Sequence, residues 1–294
     1  MKRLVSTSGF AAIMTAVMLL AATVPVLAAE EDAPQFIEHL DWSFGGVGGQ
    51  YDRAQLQRGF QVFQQVCTAC HGLKYVRFRN LAEPGGPQFP LEAVKALAAS
   101  WPYQITDGPN DEGEMIERLP TLADPIVGPY KNDKEARAVQ GGALPPDLSL
   151  VVKARTLESH APWYTHWLWM LSDIATGYQD GGADYVYALL TGYEEAPTGV
   201  EMAEGMYFNA AFPGHQMAMA PPLSMDFFIE YQPDAGATSS LDQNAKDVTA
   251  FLAWAADPSL DTRKRLGWQV LLYLVITTLL LYAVKKRVWA RVKH

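Results

Sequence analysis

The chain has 294 residues, 49% hydrophobic and 19% charged, which excludes a disordered or fibrous protein and leaves room for one or two domains. Its 32 acidic residues outnumber its 23 basic ones, which argues against the basic face of a nucleic-acid binder, and no nucleic acid is expected as a partner. Two cysteines exclude a disulfide-rich scaffold.

Lys2 and Arg3 precede an apolar run from Phe10 to Leu27, closed by small residues and then by Glu30-Glu31-Asp32. A basic start, an apolar middle and a small-residue exit predict a secretory signal peptide over residues 1–28, cleaved after Ala28 or Ala29. An exported body is expected over residues 29–262.

Within it, Asp52 is placed to cap a helix carrying Leu56, Phe60, Phe63 and Val66 or Cys67 on one face. Pro and Gly crowd residues 83–90, a loop signal, and Leu91 to Ser100 reads as a short helix. Residues 101–147, rich in Pro, Gly and acids, read as loop with short helical pieces. Leu148–Arg155 and Ala183–Thr191 read as helical. The stretch between them holds Trp163, Tyr164, Trp167 and Trp169, an apolar hairpin or a contact surface; His160 and His166 within it are not expected to bind metal. The last helix of the body runs from about Ser240 to Ala256, with Leu241, Ala245, Val248, Leu252 and Ala255 at helical spacing and a capping box from Ser239 to Asp242. Strand signals are sparse, so the expected fold class is mainly α with long loops.

From Leu266 to Val284 no residue is charged, and 19 residues at ~1.5 Å each cross roughly 28 Å of bilayer core. Trp268, Tyr273 and Tyr282 suit the interfaces, and basic residues flank both sides. One transmembrane anchor, residues 263–294 with its short tail, is expected, the C-terminus being cytoplasmic by the positive-inside rule. The two basic ends carry no acid, so the body between them holds 13 basic and all 32 acidic residues, a net charge of −19. Such a body would attract a basic partner.

Both cysteines lie in Cys67-Thr68-Ala69-Cys70-His71. C-x-x-C-H is the attachment signature of a c-type haem: each thiol can form one thioether, and the adjacent imidazole can reach the iron. The predicted export agrees, since haem c is attached outside the bacterial cytoplasm. A thioredoxin-like redox pair would need a βαβ context, and a zinc site further ligands. With both cysteines consumed, no disulfide is expected. A sixth iron ligand must come from elsewhere. Met219, Met217 and His215 compete for it, all in the Pro-bounded segment Pro213-Gly214-His215-Gln216-Met217-Ala218-Met219-Ala220-Pro221-Pro222.

Beyond this motif the sequence resembles the cytochrome c1 family, the haem-bearing subunit of the cytochrome bc1 complex, of a bacterial type. The resemblance rests on Arg58-Gly59-Phe60-Gln61-Val62-Phe63, on Gly142-Ala143-Leu144-Pro145-Pro146-Asp147-Leu148-Ser149, and on Val152-Lys153-Ala154-Arg155. It continues through Asp184-Tyr185-Val186, Leu189-Leu190-Thr191-Gly192-Tyr193, Tyr207-Phe208-Asn209, the Met-Ala-Pro-Pro loop and Ala245-Lys246-Asp247-Val248. It implies one covalent haem c with His71 and Met219 as axial ligands, Arg155 and Tyr185 near the propionates, and Pro145 and Pro146 walling the pocket. It also implies electron transfer from the Rieske iron–sulfur protein to a soluble or anchored c-type cytochrome, beside cytochrome b, in a dimeric complex. No catalytic residue is implied, since this chain makes and breaks no substrate bond. The implied setting is the bacterial inner membrane, single-pass, with the haem domain periplasmic. The aromatic stretch between Arg155 and Asp184 departs from the family pattern.

Overall fold

Asp52 starts the architecture. Its carboxylate accepts from the backbone N–H groups of Ala54 at 2.8 Å and Gln55 at 3.3 Å, capping helix α1, Arg53–Gln65. The computed structural model describes residues 37–155, 163–165, 167–168, 171, 181–224, 228–233 and 235–291. The expected signal peptide, His160, His166 and Trp169 lie outside them. Helix α1 stops just short of Val66. The next three residues, Cys67–Ala69, form a single 3-10 turn, closed by bonds from the N–H groups of Cys70 and His71 to the Cys67 carbonyl.

The buried face of α1, Leu56, Gly59, Phe60, Val62 and Phe63, packs on helix α6, Leu241–Ala256. Gly59 lets the two backbones meet: a Cβ there would lie 2.0 Å from the Asp247 carbonyl oxygen. Phe251 of α6 fills the crossing, with ring centroids 5.5 Å from Phe60, 5.6 Å from Phe63 and 5.5 Å from Trp254. At the same crossing Arg58 grips the fully buried Asp247 through two bonds, Nε to Oδ2 at 2.7 Å and Nη2 to Oδ1 at 3.2 Å. The cap of α6 differs from the expected box by one residue. Ser240 caps it, accepting from the Gln243 N–H, because the Ser239 hydroxyl is already engaged by the Tyr231 N–H.

Around this helix pair the chain adds β1 (Leu73–Arg77), α2 (Leu91–Ala99), β2 (Ile105–Pro109), β3 (Met115–Arg118) and β4 (Pro125–Ile126). Then follow α3 (Asp133–Val139), α4 (Val151–Ala154), α5 (Gly181–Thr191), β5 (Tyr207–Phe208) and β6 (Gln216–Met217). Among the described residues the strands form three small antiparallel pairs, β1–β4, β2–β3 and β5–β6. The β2–β3 hairpin falls where loop with helical pieces was expected. It is largely exposed on both faces, so it has no alternation of apolar and polar residues to betray it. Its turn is made by Asn110, whose side chain accepts from the N–H groups of Glu112 and Glu114, and by Gly113 at φ +85°.

The last helix, α7, runs from Leu260 to Trp289 and contains one membrane-length apolar window of mean hydropathy 1.8, none of it buried. It starts before the expected Leu266, because Leu260 is buried in the core and the Arg263 N–H closes onto the Ser259 carbonyl at 2.8 Å. The fold is therefore mainly helical, with one C-terminal helix long and apolar enough to span a membrane. Of the aromatic stretch, Tyr164, Trp167, Leu168 and Leu171 are exposed.

Candidate functional site

The 3-10 turn after α1 puts both thiols and the following imidazole on consecutive short steps of backbone. Burial pushes the Cys67 thiol up to about 12, with Cys70 adding to the effect. Both cysteines are free of disulfide bonding, and three polar side chains gather beside Cys70. Gln140 Nε2 lies 3.6 Å from its sulfur and 2.5 Å from the Tyr130 hydroxyl, while Tyr103 is close enough to feel the charge of both Cys70 and Tyr130.

His71 is fixed from behind. Its Nδ1 lies 2.7 Å from the Pro146 carbonyl oxygen. A carbonyl only accepts, so Nδ1 carries the proton and Nε2 presents its lone pair. Burial lowers the His71 pKa, against the opposite pull of the Pro146 carbonyl and Asp147, in the direction of the neutral ring that a metal ligand needs. The Pro146 loop is itself strapped to β1, which follows His71 in the chain. Asp147 accepts from the Lys74 N–H at 2.8 Å and the Ser149 N–H at 3.0 Å, and Ser149 Oγ accepts from the Tyr75 N–H at 3.1 Å. The Leu148 N–H donates to the Gly72 carbonyl at 3.0 Å. On the other side two glycines touch: a Cβ on Gly72 would lie 2.7 Å from the Gly128 nitrogen, and one on Gly128 would lie 2.9 Å from the His71 carbonyl carbon.

Among the sixth-ligand candidates, Met217 ends β6 and Met219 sits half-buried in the bend after it. Tyr193 holds this bend, its hydroxyl 3.0 Å from the Met219 carbonyl oxygen and 3.3 Å from the Met217 sulfur. His215 serves the loop instead. Its ring stacks on Phe208 at 5.3 Å and its Nδ1 bonds the Asn209 carbonyl at 3.1 Å. Arg155 is exposed just after α4, close enough to the buried Tyr185 to pull its pKa down, although burial keeps that pKa above the usual tyrosine value. Pro145 is half-buried and Pro146 exposed.

The donor set suits a c-type haem: two thiols on one turn and a neutral imidazole with Nε2 free. No group of three or more His, Cys, Asp or Glu that could hold a metal ion occurs among the described residues. Sequence reasoning missed Tyr193, Gln140, Tyr103 and Tyr130. Tyr193 closes the segment Leu189-Leu190-Thr191-Gly192-Tyr193, but nothing in its spacing ties it to the methionines 24 and 26 positions on.

The cytochrome C1 family model matches residues 42–292. The chain belongs to the cytochrome c1 family. It is 48% identical to cytochrome c1 of Blastochloris viridis over 276 residues, covering 94% of this chain and 93% of that protein. It is 44% identical to cytochrome c1 of Rhodospirillum rubrum over 270 residues, covering 86% and 88%. A third relative, cytochrome b/c1 of Bradyrhizobium diazoefficiens, is 48% identical over 250 residues, of which this chain spans 35% of the length. Members of the cytochrome c1 family carry one covalently bound haem c and are the electron-transfer subunit of the cytochrome bc1 complex, not enzymes by themselves.

Proposed function

We propose that Cys67 and Cys70 hold one haem c as thioethers, and that His71 and Met219 would supply its two protein ligands to iron. When bound, haem c supplies a one-electron ferric–ferrous couple. The observation that carries the reading is the His71–Pro146 bond next to the two thiols, which fixes the tautomer and aim of one ligand. Tyr193 does the same for the opposite loop by tying down the Met219 backbone, so the thioether is held rather than left to swing. With both a thioether and an imidazole as ligands the iron would have a raised potential and favour electron transfer over oxygen chemistry. Arg155 and Tyr185 would meet the propionates, where buried carboxylates need a charge-assisted bond. Pro145 and Pro146 would wall the pocket.

The electron comes from the Rieske iron–sulfur protein and leaves to a soluble or anchored c-type cytochrome, beside cytochrome b in a dimeric complex. A relative named cytochrome b/c1, in which the matched part is about a third of the length, supports the proximity to cytochrome b. The net −19 of the body supports a basic acceptor. The chain is exported on residues 1–28, cleaved, and held in the inner membrane by α7, with the haem domain periplasmic and the C-terminus cytoplasmic. The lysines and arginine at 285–287 support that topology.

The test is affinity isolation from detergent-solubilised membranes through a tag on this chain. Cytochrome b and a Rieske protein in the purified complex are expected. Isolation with oxidase subunits instead, or rapid carbon monoxide binding to the native reduced protein, would replace this reading.

A further inference from the structure

The root of the anchor carries an unusual cation. Lys264, in the second turn of α7, aims its ammonium at three backbone carbonyls of a single loop: Phe44 at 2.7 Å, Gly46 at 2.5 Å and Gly49 at 3.1 Å. An ammonium has three protons, and three acceptors converge on it. The loop is shaped for this. Gly46 adopts φ +63°, and Gly49 approaches so closely that a Cβ would lie 1.8 Å from the Gly45 carbonyl oxygen. One turn earlier Asp261 accepts from the N–H of Tyr51, two residues beyond Gly49, at 3.2 Å. Arg263 bonds Asp257, which Lys153 of α4 also reaches at 2.9 Å.

The gripped loop is anchored at its other end. Phe44 is buried, and its ring stacks on Trp42 at 5.5 Å. The Trp42 indole N–H donates to Asp184 at 2.7 Å, and Asp184 adjoins Tyr185 on α5. A continuous set of contacts therefore runs from Lys264 to the helix carrying Tyr185. Thirty residues at ~1.5 Å each give α7 roughly 45 Å, some 15 Å more than a bilayer core needs. The excess at its start is the part that carries Asp261, Arg263 and Lys264.

We propose that Lys264 is a positioning residue. It latches the root of the anchor helix into the 44–49 loop, so that the cytochrome domain and its anchor turn as one rigid body and the haem plane keeps a fixed angle to the membrane. The domain then ends at about Arg265, not at Thr262. This rests on the membrane and haem readings above, and the test separates the three.

The full-length, haem-loaded protein, without other subunits, is placed in oriented lipid multilayers, and the ferric haem resonance is recorded against sample angle. Hydrogen exchange is measured in detergent on the peptide spanning residues 43–51. The unmodified protein should give a strongly angle-dependent haem signal. Lys264→Met should flatten that dependence with the haem absorption spectrum unchanged, and should speed exchange of the 43–51 peptide about tenfold, as loss of a charge-assisted bond allows. Lys264→Arg should retain much of both. Should Lys264→Met fail to accumulate, Asp261→Asn, which weakens only the Tyr51 contact, should give a smaller shift in the same direction. An angle-independent signal from inserted, unmodified protein would overturn the proposal, as would full retention of both readouts in Lys264→Met. Protein that does not enter the bilayer would instead defeat the anchor reading, and protein without haem the haem reading.

Discussion

The Nδ1 atom of His71 and the carbonyl oxygen of Pro146 lie 2.7 Å apart although 75 positions separate them in the chain. Two loops with no regular secondary structure thus set the ring of one residue. The cost of ordering them is offset by Asp147 and Ser149, which cross-link the Pro146 loop to β1.

Met219→Leu removes the proposed sulfur ligand. The reduction potential should fall by on the order of 100 mV or more, because the ferrous state loses its thioether. Met217→Leu should change it far less. Tyr193→Phe, which frees the Met219 carbonyl, should give an intermediate fall. A redox titration of the three variants checks the order, and a larger effect from Met217 would reverse the assignment.

The Arg58–Asp247 pair should matter for stability rather than for the potential. Asp247 is fully buried and Arg58 nearly so, and each single loss leaves a buried charge without its partner. Arg58→Met or Asp247→Leu should cost about 3–5 kcal/mol. The double variant should recover part of this, since two apolar groups leave neither charge behind. Denaturant unfolding of the haem-loaded domain measures the cycle.

Acid should weaken the fold through two carboxylates. The Arg118 hydrogen bonds hold Asp124 well below the usual carboxylate range, against burial and with help from Thr121. Burial acts against the Asp257 carboxylate, but its bonds from Lys153 and Arg263 prevail and lower its pKa. Both folded-state values are depressed, so their stabilisation is present above the unfolded value of about 3.9 and is lost as pH falls through the folded values. The melting temperature should therefore drop below about pH 4. Asp124→Asn and Asp257→Asn should each flatten that drop. An unchanged acid limb in both variants would contradict the assignment.

Much of this was legible in the sequence, for identifiable reasons. Asp52 and the apolar face from Leu56 to Phe63 carry local signals, a cap and a helical period, and both appear as read. The five-residue haem motif is local too. The β2–β3 hairpin was not legible, because an exposed hairpin buries no alternating face and its turn depends on one Asn side chain. Ser240 rather than Ser239 caps α6 because Ser239 is taken by Tyr231, a tertiary choice between two adjacent serines. The Tyr193 bond to the Met219 backbone and the start of α7 at Leu260 also depend on what folds against them.

The most direct test is the mass of one peptide. Trypsin should release residues 59–74, Gly59 to Lys74, from the denatured, membrane-purified protein. That peptide should carry the mass of one haem, with fragmentation locating it on both Cys67 and Cys70. Cys67→Ala and Cys70→Ala should each leave a single link, and the double variant none. Recovery of the native peptide with two free thiols, or with a disulfide between them, would contradict the covalent haem on which the electron-transfer reading depends.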